Sequence, residues 1–182
     1  MAYWKRPSLA VTVDYGQAPA EAEIRAAAVI AEYLNIPHKI VRTDLRRLGT
    51  GALAKNQQLP IAPTPEWWPF RNQMLITLAA MSAIQANCSE LVVGTVESDN
   101  LHNDGTPAFI ETIDALLSQQ EGGMRVRAPA AAMRTEDLIV SSGIPFSLLA
   151  WCHSCHVANL ACGVCRGCQK SREARNAVGL IT

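Results

Sequence analysis

Apolar and polar positions alternate with two different periods along this chain. Leu9–Tyr15 is a short, largely apolar run and reads as a buried strand. Ala20–Asn35 follows, with Ile24, Ala27, Ala28, Ala31 and Leu34 at the spacing that puts them on one face of a helix. Pro37 lies just beyond its end, where a helix stop belongs. His38–Thr43 alternates like a second strand. Residues 44–69 carry Pro60, Pro63 and Pro65 without a sustained period and read as a loop or flap. Phe70–Asn87 is a long helix, almost wholly apolar after its first turn, so burial is expected on all sides.

Glu90–Val96 is a third strand whose contiguous apolar residues suit a sheet covered on both faces. Ser98–Thr106 is a polar loop. Pro107–Gln119 is a helix with proline in the first turn, where a missing N–H costs nothing. Met124–Ala128 is a fourth strand. Thr135–Ser142 is a helix opened by a hydroxyl and the acids Glu136 and Asp137. This alternation predicts an α/β fold with a parallel, doubly wound sheet. We expect one α/β domain over residues 1–150 and a cysteine-rich tail over 151–182.

Composition narrows the function classes. The 182 residues balance sixteen basic against sixteen acidic side chains. Nothing therefore favours non-specific binding to nucleic acid or an anionic membrane surface. The longest apolar runs fall short of the roughly 20 residues that a membrane span requires, and no export signal is visible, so a cytoplasmic location is expected. Five of the six cysteines crowd into Cys152, Cys155, Cys162, Cys165 and Cys168. Such crowding in a reducing compartment points to metal rather than disulfides.

Cys162-Gly-Val-Cys165 and Cys165-Arg-Gly-Cys168 are overlapping C-x2-C turns, with Gly163 and Gly167 expected at positive φ. Three thiolates need a fourth ligand for a closed zinc site. Cys155 is the best placed, with Cys152, His153 and His156 as competitors. Iron–sulfur ligation and unliganded thiols are the alternatives. Structural zinc is the primary reading, fastening the tail to the domain rather than performing chemistry.

Asp14 and Tyr15 end the first strand, and ligands in open α/β sheets sit beyond such strand ends. Read in order, "VTVDYGQ", "HKIVRTDL", "PFRNQMLITLAAMSAIQ", "LVVGTVESD", "DGTPAFIETI", "RVRAP" and the terminal "CGVCRGC" resemble the 7-cyano-7-deazaguanine synthases of the QueC family. That family lies within the PP-loop ATP pyrophosphatases, so the resemblance implies an adenine nucleotide alpha hydrolase-like fold. It also implies an ATP- and magnesium-dependent ligase. Such an enzyme activates the carboxylate of 7-carboxy-7-deazaguanine, a small molecule, for displacement by ammonia and onward conversion to the nitrile. Queuosine biosynthesis is the implied setting, and a homodimer the implied assembly. Divergent relatives that join the activated base to a partner protein in anti-phage defence supply an alternative, with a protein amine as acceptor. A non-catalytic zinc-bearing module is another.

On this resemblance Asp14, Tyr15, Gln17, Asn72 and Gly94 are expected at the nucleotide, and Arg71 and Asp99 in catalysis. Trp68, His102 and Asp104 are expected at the deazaguanine, with Trp67 beside Trp68 as a possible stacking lid. Arg71 and Asn72 match a Gly-Arg-Asn motif in which Phe70 replaces the usual glycine. Arg134 stands where the family more often has lysine, and no role is assigned to Arg166 or Lys170. The family's Ser-Gly-Gly-x-Asp-Ser phosphate loop has no counterpart in these residues. Met1 therefore reads as internal, with the loop expected upstream; a loop supplied by a partner chain, and a chain that keeps the fold without turnover, are the alternatives. The family's Gly-Tyr-Pro-Asp-Cys-Arg stretch is represented only by "LHNDGTPAF", where Asp104 matches its acid.

Overall fold

A computed structural model describes residues 1–179, so the last three residues of the expected 151–182 tail lie outside the described residues. The helices are α1 (Ala2–Lys5), α2 (Ala20–Leu34), α3 (Gly51–Ala54), α4 (Arg71–Ile84), α5 (Pro107–Ser118), α6 (Thr135–Ser142), α7 (Phe146–Leu149) and α8 (Arg166–Ala177). The strands are β1 (Ala10–Asp14), β2 (His38–Arg42), β3 (Glu90–Val92) and β4 (Arg125–Arg127). Among the described residues no helix is long and apolar enough to cross a membrane. The fold is α/β with parallel strands. Among the described residues those strands pair as β1–β2 and β3–β4.

Two compact units divide the chain, one built on Phe70–Leu138 and one on Ala2–Pro69 with residues from 139 onward. In the first, β3 runs beside β4 with Glu90 opposite Arg125 and Val92 opposite Arg127. The Val93 N–H donates to the Arg127 carbonyl at 2.8 Å, extending the pairing by one residue. The expected strand runs to Val96 but stops short, because the chain turns into a 3-10 segment at Glu97–Leu101. The Asp99 carboxylate accepts the Val96 N–H at 3.0 Å and so removes a donor from the ladder.

Ile76, Ala80 and Ala83 of α4 pack with Ile110, Ile113 and Leu117 of α5, over Met124 and Val126. Burying each Ile or Leu contributes about 1.5–3 kcal/mol. The remaining face of α4 is open, with Met81 59% exposed and Met74 and Ile84 partly so. Apolar composition predicts burial of the whole helix, whereas only one stripe is covered. Asp114 clasps α5 to β4: its carboxylate accepts the Val126 N–H at 2.7 Å and the Arg125 guanidinium at 2.9 Å. Those partners hold the Asp114 carboxyl far below the usual range.

In the second unit β1 pairs with β2 from Ala10 opposite His38 to Asp14 opposite Arg42. Helix α2 presents Ala22, Ala26 and Ala31 to the interior, small side chains that permit close approach. It ends at Asn35, whose left-handed φ of 54° suits a residue that tolerates this region. The Pro-rich 44–69 region contains a 3-10 turn at Arg46–Leu48 and the four-residue α3, each too short to carry a periodic signal.

Candidate functional site

In the first unit, the carboxyl end of β3 and the amino end of α4 border a cavity of about 320 Å³. That volume falls in the range of small-molecule sites. Arg71, Asn72, Gly94, Asp99, His102 and Asp104 all line it, so six residues separated by more than thirty positions converge. Two hydrogen bonds hold the loop to the helix. The Asn72 N–H donates to the Asp104 carboxylate at 3.3 Å, and the Asn72 side chain donates to the Asp104 carbonyl at 3.1 Å. Asp104 thus meets one of the unsatisfied donors at the helix start. The Arg71 Nε donates to the Asn72 Oδ1 at 3.3 Å, which orients the guanidinium.

Phe70, just ahead of this pair, has φ 56° and is largely exposed. That left-handed conformation explains why glycine fits the position, and a bulky residue adopts it only at a cost of about 1–2 kcal/mol. Thr95 also lines the cavity, and its buried hydroxyl has no hydrogen-bond partner among the described residues. No sequence signal marks it, since a threonine at a strand end is unremarkable by type.

In the second unit, the carboxyl ends of β1 and β2 border a shallower space of about 540 Å³ that includes Asp14, Gln17, Arg42, Asp44 and Arg46. Asp14 accepts the Gly16 N–H at 3.1 Å and lies 3.9 Å from the Arg42 guanidinium. The Arg46 guanidinium beside Asp44 holds its carboxyl well below the usual range. Gln17 is buried: its Oε1 accepts the Tyr15 N–H at 3.0 Å, and its Nε2 donates to Glu23 at 2.7 Å. Tyr15 and Trp68 are buried and meet edge to face at 4.9 Å. In this arrangement Trp68 packs on Tyr15, and Gln17 braces the turn after β1. Asn159, far away in sequence, accepts the Ala22 N–H at 3.1 Å at the start of α2. Arg134 is engaged by Glu136 and Asp137.

The same unit gathers the cysteines. The Sγ atoms of Cys155, Cys162, Cys165 and Cys168 all lie within 4.8 Å of one another. Cys162 and Cys168 are 3.9 Å apart, and Cys155 and Cys165 4.0 Å apart. Tetrahedral zinc with arms of about 2.3 Å needs sulfurs about 3.8 Å apart, so the residues fit. The Cys165 N–H donates to the Cys162 sulfur at 3.3 Å and the His156 N–H to the Cys165 sulfur at 3.4 Å. Backbone donors of this kind orient and stabilise thiolates. Of the competing ligands, His153 lies 3.0 Å from the Ala158 carbonyl and His156 faces Glu66.

Gly163 takes φ 77° as expected. Gly167 does not; it lies in the first turn of α8. There a Cβ would collide with the Ser154 carbonyl and the His156 ring. Close approach, not a positive φ, requires glycine at 167. Among the described residues no disulfide links the six cysteines.

Backbone N–H groups of Val164 and Cys165 lower the Cys162 thiol to about 6, while burial pushes Cys168 up. A lowered thiol is increasingly ionised above its pKa, so at pH 7 the metal-free protein should alkylate first at exposed Cys162 and last at Cys168. Peptide mapping after brief iodoacetamide treatment checks this, and labelling of Cys162 should collapse below pH 6.

The fold and the cysteine knuckle define an α/β protein with parallel strands and a candidate metal centre. A family profile described as "Queuosine biosynthesis protein QueC" matches residues 6–179, and the chain belongs to that family. It is similar to a protein named 7-cyano-7-deazaguanine synthase from Desulforudis audaxviator, with 28% identity over 94% of this chain and 86% of the relative. The protein of the same name from Methanothermobacter thermautotrophicus is 28% identical over 94% of this chain and 84% of its own length. That from Acidobacterium capsulatum is 30% identical over 87% and 77%.

Proposed function

We propose that this protein activates the carboxylate of 7-carboxy-7-deazaguanine with ATP and passes it to ammonia, with onward formation of the nitrile. The observation that carries this reading is the cavity at the start of α4. It combines a guanidinium, the amino end of a helix and two carboxylates, in a chain whose curated relatives are named 7-cyano-7-deazaguanine synthase. A carboxylate becomes a useful electrophile only when one of its oxygens is made a leaving group. Adenylation does so: the carboxylate oxygen attacks the α-phosphorus, pyrophosphate leaves, and ammonia then displaces AMP to give the amide; a second ATP activates the amide oxygen in the same way, and its departure as AMP, with loss of the nitrogen protons, leaves the nitrile.

Arg71 and the α4 amino end meet the anionic phosphate or carboxylate. Asp99 and Asp104 accept hydrogen bonds from the N–H edge of the heterocycle, while His102 and the backbone at Gly94 shape the wall. Asp14, with Tyr15 and Gln17 holding the strand end, is assigned to the nucleotide by the family resemblance. Magnesium, bound with the triphosphate, would offset its charge. Zinc on Cys155, Cys162, Cys165 and Cys168 would be structural, since four thiolates leave no open position.

The test is to incubate the purified protein with 7-carboxy-7-deazaguanine, ATP, magnesium and ammonium, then resolve products by mass. Free nitrile with AMP is the expected result. Base attached to a protein would favour the conjugating alternative. Absence of both AMP and modified base would overturn the reading.

A further inference from the structure

Glu66 is a carboxylate that no ligand reading uses, yet it is only 6% exposed. It sits in the Pro- and Trp-rich segment before α4, a hundred positions from its main partner. The Arg166 Nη1 donates to the Glu66 Oε1 at 3.1 Å, and the His156 Nδ1 lies 3.9 Å from the same oxygen. Both partners belong to the cysteine knuckle. Arg166 stands between Cys165 and Cys168 in the first turn of α8, and His156 follows Cys155 and donates its backbone N–H to the Cys165 sulfur. Gly167 closes the arrangement, since its lack of a side chain lets the His156 ring lie against the α8 turn.

The residues on either side of Glu66 are tied to the start of α3. The Pro65 carbonyl accepts the Ala52 N–H at 2.8 Å, and the Trp67 carbonyl accepts the Thr50 hydroxyl at 2.8 Å. Trp68 packs on Tyr15, which follows β1. A buried carboxylate is costly unless paired, and here the pairing partners are held by the residues that would bind metal.

We propose that Glu66 is a positioning residue for the metal centre: through Arg166 and His156 it couples metal occupancy of the knuckle to the order of the 59–69 segment that seats Trp68 on Tyr15. Metal draws the four sulfurs together, which sets α8 and the Ser154–His156 turn. That in turn fixes the two groups Glu66 needs. Without Glu66, Arg166 loses its carboxylate and His156 its neighbour, so the ligand turns lose an outer brace. This inference rests on the metal reading of the four cysteines.

The experiment compares the full chain with E66Q, R166Q and the double variant. Zinc affinity is measured by competition with a chromophoric chelator, and backbone hydrogen exchange in 59–69 is followed with and without metal. E66Q keeps the side-chain shape and should weaken zinc by about 10-fold or more. R166Q should do likewise, and the double variant should lose little beyond either single one, as groups acting together do. In the unsubstituted protein chelation should speed exchange in 59–69, whereas in E66Q exchange there should be fast with zinc present. The cobalt(II) spectrum of E66Q should also shift in its sulfur charge-transfer bands, which a remote packing defect would leave alone. Zinc bound by E66Q within twofold of the parent, or exchange in 59–69 indifferent to chelation in the parent, would overturn the coupling alone. Failure of the parent to bind zinc would overturn both the coupling and the metal reading.

Discussion

Cys168→Ser is expected to be the most damaging single substitution in this chain, lowering the thermal midpoint by at least about 10 °C. Structural zinc on four thiolates contributes folding free energy of about 10–16 kcal/mol, against a net stability of about 5–15 kcal/mol for a typical domain. Cys168 is nearly buried in the first turn of α8, its sulfur 3.9 Å from that of Cys162. Loss of one ligand gives up several kcal/mol, and for a chain of this length each kcal/mol moves the midpoint by about 2–4 °C. A strong chelator should reproduce the shift in the parent and add little in the variant. Calorimetry on both proteins, with and without chelator, reads the result. An unshifted midpoint in Cys168→Ser would mean that the knuckle does not anchor this unit.

Arg71→Ala is expected to lower kcat/KM by about 10²–10³, the size of effect seen when a preorganised donor to developing charge is removed. Stability should barely change, since Arg71 is only partly buried and its one described hydrogen bond is to neighbouring Asn72. Arg71→Lys should recover only part of the loss, because an ammonium cannot replace a planar fork. Steady-state kinetics with the deazaguanine carboxylate varied at saturating ATP provides the measurement. Activity within a factor of three of the parent in Arg71→Ala would remove this residue from the chemistry.

The elements with strong local signals were legible in the sequence. Helix α2 follows from its alanine-rich periodicity, α5 from Pro107 in its first turn, β1 from its short, largely apolar run and β2 from its alternation. The pairing of strands was not legible, because which edges meet is a long-range matter that alternation does not encode. Helix α4 shows a second limit: after its first turn its composition is almost wholly apolar, and periodicity cannot distinguish a stripe that packs from one left open.

At the candidate site, Arg71, Asn72, Asp99 and Asp104 were found by motif, and the structure brings them around one cavity. The four-cysteine set was legible because C-x2-C spacing is itself a geometric constraint. Thr95, Asn159 and Glu66 were not, since each matters only through partners or burial that no local pattern encodes. Gly167 was read for the wrong reason, as a turn residue, when a close-packed histidine is what excludes a side chain there.

The central claim is that a carboxylate is adenylated, and isotope transfer tests it most directly. The substrate carboxylate is labelled with ¹⁸O, the reaction is run with ATP, magnesium and ammonium, and the AMP is analysed by mass. Adenylation followed by amine attack predicts one ¹⁸O in each AMP formed. AMP free of label, or ATP cleaved only to ADP, would contradict the account.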